Sequence, residues 1–159
     1  RISVVVHPQS IVHSMVEYID GSVIAQLGTA DMKGPIAYAL SYPERIEAGV
    51  VPLDLTACGR LDFYKPDMKR FPCLGLAYTA LEEGGTMPAV LNGADEVAVE
   101  AFLKGGIPFS GIHEVVERVM DSHRIDDASE LDTILDADRW AREAAWKIIE
   151  KGCRTPLKV

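Results

Sequence analysis

The stretch Ile11-Val12-His13-Ser14-Met15-Val16-Glu17-Tyr18-Ile19-Asp20-Gly21-Ser22-Val23-Ile24-Ala25-Gln26-Leu27 decides how the front of this chain folds. Two runs rich in β-branched residues, Ile11–Tyr18 and Ser22–Leu27, flank Asp20-Gly21, a dipeptide suited to a tight hairpin because both turn positions take positive φ. With Asp20-Gly21 as a two-residue turn, Ile19 pairs with Ser22, Glu17 faces Ile24, Met15 faces Gln26 and His13 faces Gly28. His13 then stands beside the loop Gly28-Thr29-Ala30-Asp31-Met32. An imidazole, a carboxylate and a thioether meet at one end of the ribbon. Met15, on the same face as His13, makes that end partly apolar, a wall on which a planar cofactor ring can lie. The other reading is a strand histidine satisfied by backbone, and spacing alone leaves both open.

Working outward, Arg1 leads straight into Ile2-Ser3-Val4-Val5-Val6, a strand pattern without a start, as expected of a piece of a longer protein. Pro8 separates that run from the next. Downstream, Gly34-Pro35 opens a short helix through Ile36–Leu40 that stops before Pro43. From Val50 to Pro72 neither period is sustained, and Pro52, Pro66 and Pro72 mark a crossing linker. After Pro72 the period becomes helical four times. Leu74, Ala77, Tyr78 and Leu81 form one stripe, closed by Gly84-Gly85. Val90, Leu91, Ala94, Val97, Ala98, Ala101 and Phe102 form the second, closed by Gly105-Gly106. Ile112, Val115, Val116, Val119 and Met120 follow Ser110 as N-cap. Leu131, Ile134, Ala141, Ala145 and Ile148 follow Ser129, with Gly152 as the stop and a break expected near Asp136. The fold class is therefore α+β: a short antiparallel or mixed sheet segment, a linker, and a C-terminal four-helix-type bundle.

The 159 residues are 48% hydrophobic and 25% charged, a globular composition, and no apolar run reaches membrane-spanning length. Of the net charge of -8, residues 76–159 hold most, with 9 Lys and Arg against 16 Asp and Glu. An acidic surface repels phosphate backbones, so nucleic acid is not an expected partner. Cys58, Cys73 and Cys153 have neither disulfide nor zinc-knuckle spacing and read as reduced thiols. His7, His13 and Asp31 raise a metal site, but the two histidines fall in different strands and no ligand geometry follows. His113 falls on a polar helical face, and His123 lies near a helix end where a cation suits the dipole. There is no dinucleotide glycine fingerprint, P-loop or nucleophile elbow.

Several separated strings carry a resemblance. HPQSIVHSMVEYIDGSVIAQLG (residues 7–28), ADM (30–32) and PIAYALSYPER (35–45) resemble the segment after the active-site loop of the 1-deoxy-D-xylulose 5-phosphate reductoisomerase family. The run from Asp67 through Arg70-Phe71-Pro72-Cys73-Leu74 to Ala77, and LNGADEVAVEAFL (91–103), resemble the entry and one helix of that family's C-terminal domain. The resemblance implies an NADPH-dependent enzyme that uses Mg²⁺ or Mn²⁺ to turn 1-deoxy-D-xylulose 5-phosphate into 2-C-methyl-D-erythritol 4-phosphate, a cytoplasmic homodimer of the non-mevalonate isoprenoid pathway. On that basis residues 1–49 close the catalytic and dimerisation domain, 50–72 form the linker and 73–159 the helical domain.

The same comparison implies that the NADPH-binding domain, metal carboxylates and phosphate-binding set precede Arg1, so that these missing segments are partners and no catalytic or metal-binding residue lies within this chain. His13 matches a histidine that supports the active site. Met32 and Ala30 match the nicotinamide-side wall, with Ala30 where many members have Pro. Gly93 and Asp95 stand where Ala and Asn are usual. The chain alone is expected to be inactive and to bind no cofactor by itself, and dimerisation is expected through the sheet. The alternative, from a different class, is a stand-alone structural or oligomerisation module whose sheet edge seeks a partner.

Overall fold

The structure, a computed structural model, describes residues 2–152. The chain divides into two compact units, one ending at Pro66 and one beginning at Asp67. Residues 50–66, part of the segment 50–72 expected as linker, fall within the first unit.

In the first unit, β1 (Val12–Glu17) pairs antiparallel with β2 (Val23–Leu27). The register differs by one from the expected count: Glu17 faces Val23, Val16 faces Ile24 and Met15 faces Ala25. The reason is the turn. Tyr18 donates its N–H to Ser22 O at 2.9 Å and Gly21 donates to Tyr18 O at 3.0 Å, so the loop holds three residues, Ile19, Asp20 and Gly21. Gly21, at φ +84°, takes the left-handed position that follows a type I turn in such loops. Asp20 closes it by accepting from the Ser22 hydroxyl and N–H, which hold its carboxyl below the usual range.

Ile2–Val6 does not form a strand. A strand needs a paired edge, and only Val6 finds one, exchanging two 2.9 Å hydrogen bonds with Tyr64. The helix expected after Gly34-Pro35 is present as α1 (Lys33–Ser41). A one-turn helix, α2 (Leu55–Cys58), went unforeseen because four residues carry no period. Its signal was Asp54, whose carboxylate accepts from the N–H groups of Thr56 (2.8 Å) and Ala57 (3.2 Å).

The second unit is helical: α3 (Pro72–Glu83), α4 (Met87–Leu103), α5 (Phe109–Ser122) and α6 (Leu131–Gly152). Pro72 and Pro88 sit in first turns, where a missing N–H leaves no intrahelical bond unmade. α5 starts at Phe109 with Pro108 as its cap, not at Ser110. α6 runs unbroken through Asp136, whose carboxylate pairs with Arg139 (2.7 Å) on the surface instead of capping a new helix.

The core is α4 packed on α5 and α6. Val90, Ala94, Ala98, Val115, Val119, Ala141 and Ala145 are wholly buried, each large one contributing roughly 1.5–3 kcal/mol. Leu131, expected in the α6 stripe, is 67% exposed, and Ala137 takes a buried place instead. Alanines at 137, 141 and 145 leave α6 a shallow face, and α4 meets it with Gly93. A β-carbon on Gly93 would lie 2.8 Å from Asp138 Oδ1, 3.0 Å from Asp138 O and 3.4 Å from Ala141 Cβ. This glycine therefore serves close approach of helices; no local softening is needed to explain it. Gly93→Val is expected to destabilise the unit by about 2 kcal/mol, since its branches must enter a closed seam. The check is a lower urea midpoint with an unchanged m-value.

Ion pairs on the bundle are peripheral. Arg142 bridges Glu96 (2.7 Å) and Asp138 (2.8 Å), and Glu143 meets Lys147 at 3.8 Å, all partly or largely exposed and worth little individually. Cys58 and Cys73 are free thiols, and burial, with the Asp95 charge, pushes the Cys73 thiol up and away from reactivity. Cys153 lies outside the described residues. No described helix is long and apolar enough to cross a membrane.

Candidate functional site

At the open end of the hairpin the ladder is irregular. Val12 faces Leu27 while Ser14 faces Gln26, so His13 is the extra residue of a β-bulge. A bulge bends its strand and re-aims the side chain it carries. Here it turns His13 toward the loop that follows β2, with its Nε2 bonded to Ser10 O at 2.9 Å. Ser10 itself holds φ +51°, closing the turn that starts at His7. The His13 ring is backbone-bonded and also lines a cavity.

The loop is held from both sides. Gly28 donates its N–H to Ile11 O (3.0 Å), and the Thr29 hydroxyl donates to Val51 O (2.8 Å). Asp31 accepts the Lys33 N–H (2.9 Å) at the start of α1, which leaves Met32 as the helix N-cap residue. Met32 gains no cap bond and is 69% exposed, its thioether free to meet a ligand. Beyond α1, the Ser41–Glu44 turn reverses the chain. That reversal brings the Arg45 guanidinium over the Tyr38 ring, 4.3 Å from its centroid.

These elements enclose a cavity of about 1000 Å³. His13, Ala30 and Met32, chosen from the sequence, all line it, with Asp31. Sequence reasoning missed Tyr38 and Arg45, which a tyrosine on α1 followed by the turn at Tyr42-Pro43 could have suggested. The walls combine apolar surface from Ala30, Met32, Pro35 and Val50 with a few polar groups, the character of a site for a flat, partly polar ligand.

His7 does not join this site. Its Nδ1 donates to Asp62 O (2.8 Å) and its ring stacks on Phe63 at 4.6 Å. Gln9 and Asp62 add a reciprocal pair, at 2.6 and 3.2 Å, so His7–Gln9 and residues 60–64 form a clip. Among the described residues, no three His, Cys, Asp or Glu side chains gather closely enough to hold a metal ion. His123 is also not the surface cation expected from its place near a helix end. It is half-buried, bonded to Thr86 and tilted at 44° against the Trp140 ring (4.9 Å between centroids), and burial pushes its imidazole below the usual range against the pull of Asp126.

The family described as DXP reductoisomerase C-terminal domain matches residues 27–144. The chain is 63% identical over 145 residues to the 1-deoxy-D-xylulose 5-phosphate reductoisomerase of Trichlorobacter lovleyi, covering 91% of this chain and 37% of that protein. Among solved structures, the reductoisomerase from Zymomonas mobilis in complex with NADPH superposes with a TM-score of 0.86 at 43% identity, covering 93% of this chain and 39% of the other. A DOX-P reductoisomerase in complex with NADPH, fosmidomycin and magnesium superposes with a TM-score of 0.83 at 47% identity, covering 92% and 38%. The chain thus spans less than half the length of the relatives it matches.

Proposed function

The chain belongs to the DXP reductoisomerase C-terminal domain family, and from that premise we propose that it is the C-terminal part of an NADPH- and divalent-metal-dependent reductoisomerase acting on 1-deoxy-D-xylulose 5-phosphate. The product is 2-C-methyl-D-erythritol 4-phosphate, in isoprenoid synthesis by the non-mevalonate route, and the enzyme works in the cytoplasm as a homodimer. The observation that carries the reading is the one cavity that His13, Ala30 and Met32 all line.

The residues present fit a nicotinamide ring and do not make up a metal site. Apolar surface from Ala30, Met32 and Pro35 offers a flat contact, and Met32 is a polarizable thioether suited to a ring face. NADPH, when bound, supplies the hydride. This chain's part is to orient the ring and keep water from one of its faces. Ala30 leaves the loop backbone freer than a Pro would, and the bonds Thr29–Val51 and Asp31–Lys33 hold it in place. His13, fixed by the bulge and by Ser10, sits at the cavity edge as a positioning group. The metal and the substrate phosphate take their ligands from the rest of the enzyme.

The first unit also lacks a core of its own: none of its described residues is fully buried, and Val16, Ile19 and Ile24 are exposed on the ribbon. An isolated two-stranded ribbon is marginal in water, which supports pairing with other parts of the enzyme or with a second copy. The same exposure favours the second reading, an oligomerisation module. The two separate on activity.

In the whole enzyme, Met32→Ala is expected to raise the KM for NADPH about tenfold, the loss of roughly 1.5 kcal/mol of apolar contact. Thermal stability should not change, because Met32 is exposed without ligand. Steady-state kinetics with NADPH varied checks this. An unchanged KM removes Met32 from the nicotinamide wall, and a wild-type enzyme without turnover of the pentulose phosphate overturns the function itself.

A further inference from the structure

Thr86, 1% exposed, is the buried polar residue of the second unit and joins two connections. Its N–H donates to Asp126 O at 3.1 Å, and its hydroxyl oxygen accepts the Asp126 N–H at 3.1 Å. The remaining hydroxyl contact is His123 Nε2, at 2.8 Å. A hydroxyl has one proton to give, and a buried donor without an acceptor is costly. With its oxygen already accepting from Asp126, the hydroxyl proton goes to His123 Nε2, which must then be a bare acceptor with the ring proton on Nδ1. A proton on Nε2 would take the oxygen's remaining lone pair and leave the buried hydroxyl proton without an acceptor.

We propose that His123 and Thr86 form a proton-operated latch: neutral His123 holds the turn between α3 and α4 to the connection between α5 and α6, and protonation releases it. The surrounding groups are consistent with this. His123 borders a cavity of about 430 Å³ to which the connection contributes Arg124 and Asp126, α5 contributes Ser122, and α6 contributes Thr133, Asp136 and Trp140. Asp126 and Asp136 favour the imidazolium, Arg124 opposes it, and the α3–α4 turn brings only the neutral Thr86. Burial prevails, and the imidazole is held below its usual range. The sign follows. Above about pH 6.5 folded and unfolded chains both carry a neutral imidazole, so the latch is at full strength. Below that, the unfolded chain takes up a proton that the folded one resists, and stability falls with pH.

The test uses the full chain, isotope-labelled, with histidine titration and amide exchange followed by NMR. The expected result is a His123 midpoint below the ordinary value. The protection factor of the Asp126 amide should fall by up to about tenfold per pH unit beneath that midpoint, and Trp140 emission should change in step. Thr86→Val, which keeps the shape without the hydroxyl, should remove Asp126 protection at every pH and move the His123 midpoint upward. His123→Asn, an acceptor that does not titrate, should flatten the pH dependence. A His123 midpoint at or above the ordinary value, or Asp126 protection that ignores both pH and Thr86→Val, overturns the latch.

Discussion

Replacing Gly85 by alanine is expected to destabilise the helical unit by about 4 kcal/mol, more than the same change one residue earlier. Two separate effects act at this position. Gly85 holds φ +52°, a left-handed conformation that costs an L-residue roughly 1–2 kcal/mol. Its β-carbon would also lie 2.5 Å from Asp126 O and 2.7 Å from Ile125 Cγ2. The first of these is backbone and cannot turn aside, so the connection must move, and overpacking of this kind costs roughly 1–3 kcal/mol more. Moving it also pulls Asp126 from Thr86. Gly84 is the internal control, because at φ +68° it has nothing within 4 Å of an added β-carbon. Gly84→Ala should therefore lose only the conformational part, about 2 kcal/mol, since φ +68° with ψ -149° is backbone that residues other than glycine rarely adopt. Urea denaturation of both variants decides the matter, with midpoints compared at constant m-value. Equal losses at the two positions would mean that the contact with the 125–126 segment is not as described.

How far the amino-acid sequence already contained this structure differs between the two units for a physical reason. In the bundle each helix buries a stripe against its neighbours, so period and burial coincide. Val90, Ala94, Val97, Ala98 and Ala101 are legible as core from spacing alone, as are all five apolar positions from Ile112 to Met120. Errors appear where a stripe ends, as at Leu131, or where one side chain does another's work, as at Ser110 and Asp136. In the first unit periodicity carries less. The dipeptide Asp20-Gly21 announces a hairpin, but two- and three-residue loops both welcome it, and the choice moves every cross-strand pair by one. The bulge at His13 then shifts the ladder one residue further in the same direction, so that Val12 faces Leu27 where the count gave Thr29.

The remaining features of the site are long-range and leave little local trace. The turn at Tyr42-Pro43 hints that the chain returns toward α1 but not that Arg45 lies over the Tyr38 ring, and Thr29 gives no sign of its bond to Val51, 22 residues on. Gly93 was readable as a departure from the family pattern, though its purpose was not. Only α6, seen in place, reveals the closeness that glycine permits. His123 teaches the same lesson in electrostatics. Its position near the end of α5 suggested a cation, and the buried Thr86 hydroxyl, 37 residues earlier, makes it an acceptor.

The proposed division of labour gives this chain one wall of the nicotinamide site and a helical buttress, and leaves metal, phosphate and most of the coenzyme to the rest of the enzyme. The most direct measurement is NADPH oxidation by the purified 159-residue chain with 1-deoxy-D-xylulose 5-phosphate and Mg²⁺, beside the full-length enzyme under the same conditions. The expected result is turnover by the full-length enzyme and none by the chain alone. Substrate-dependent oxidation by the chain alone would contradict that division outright.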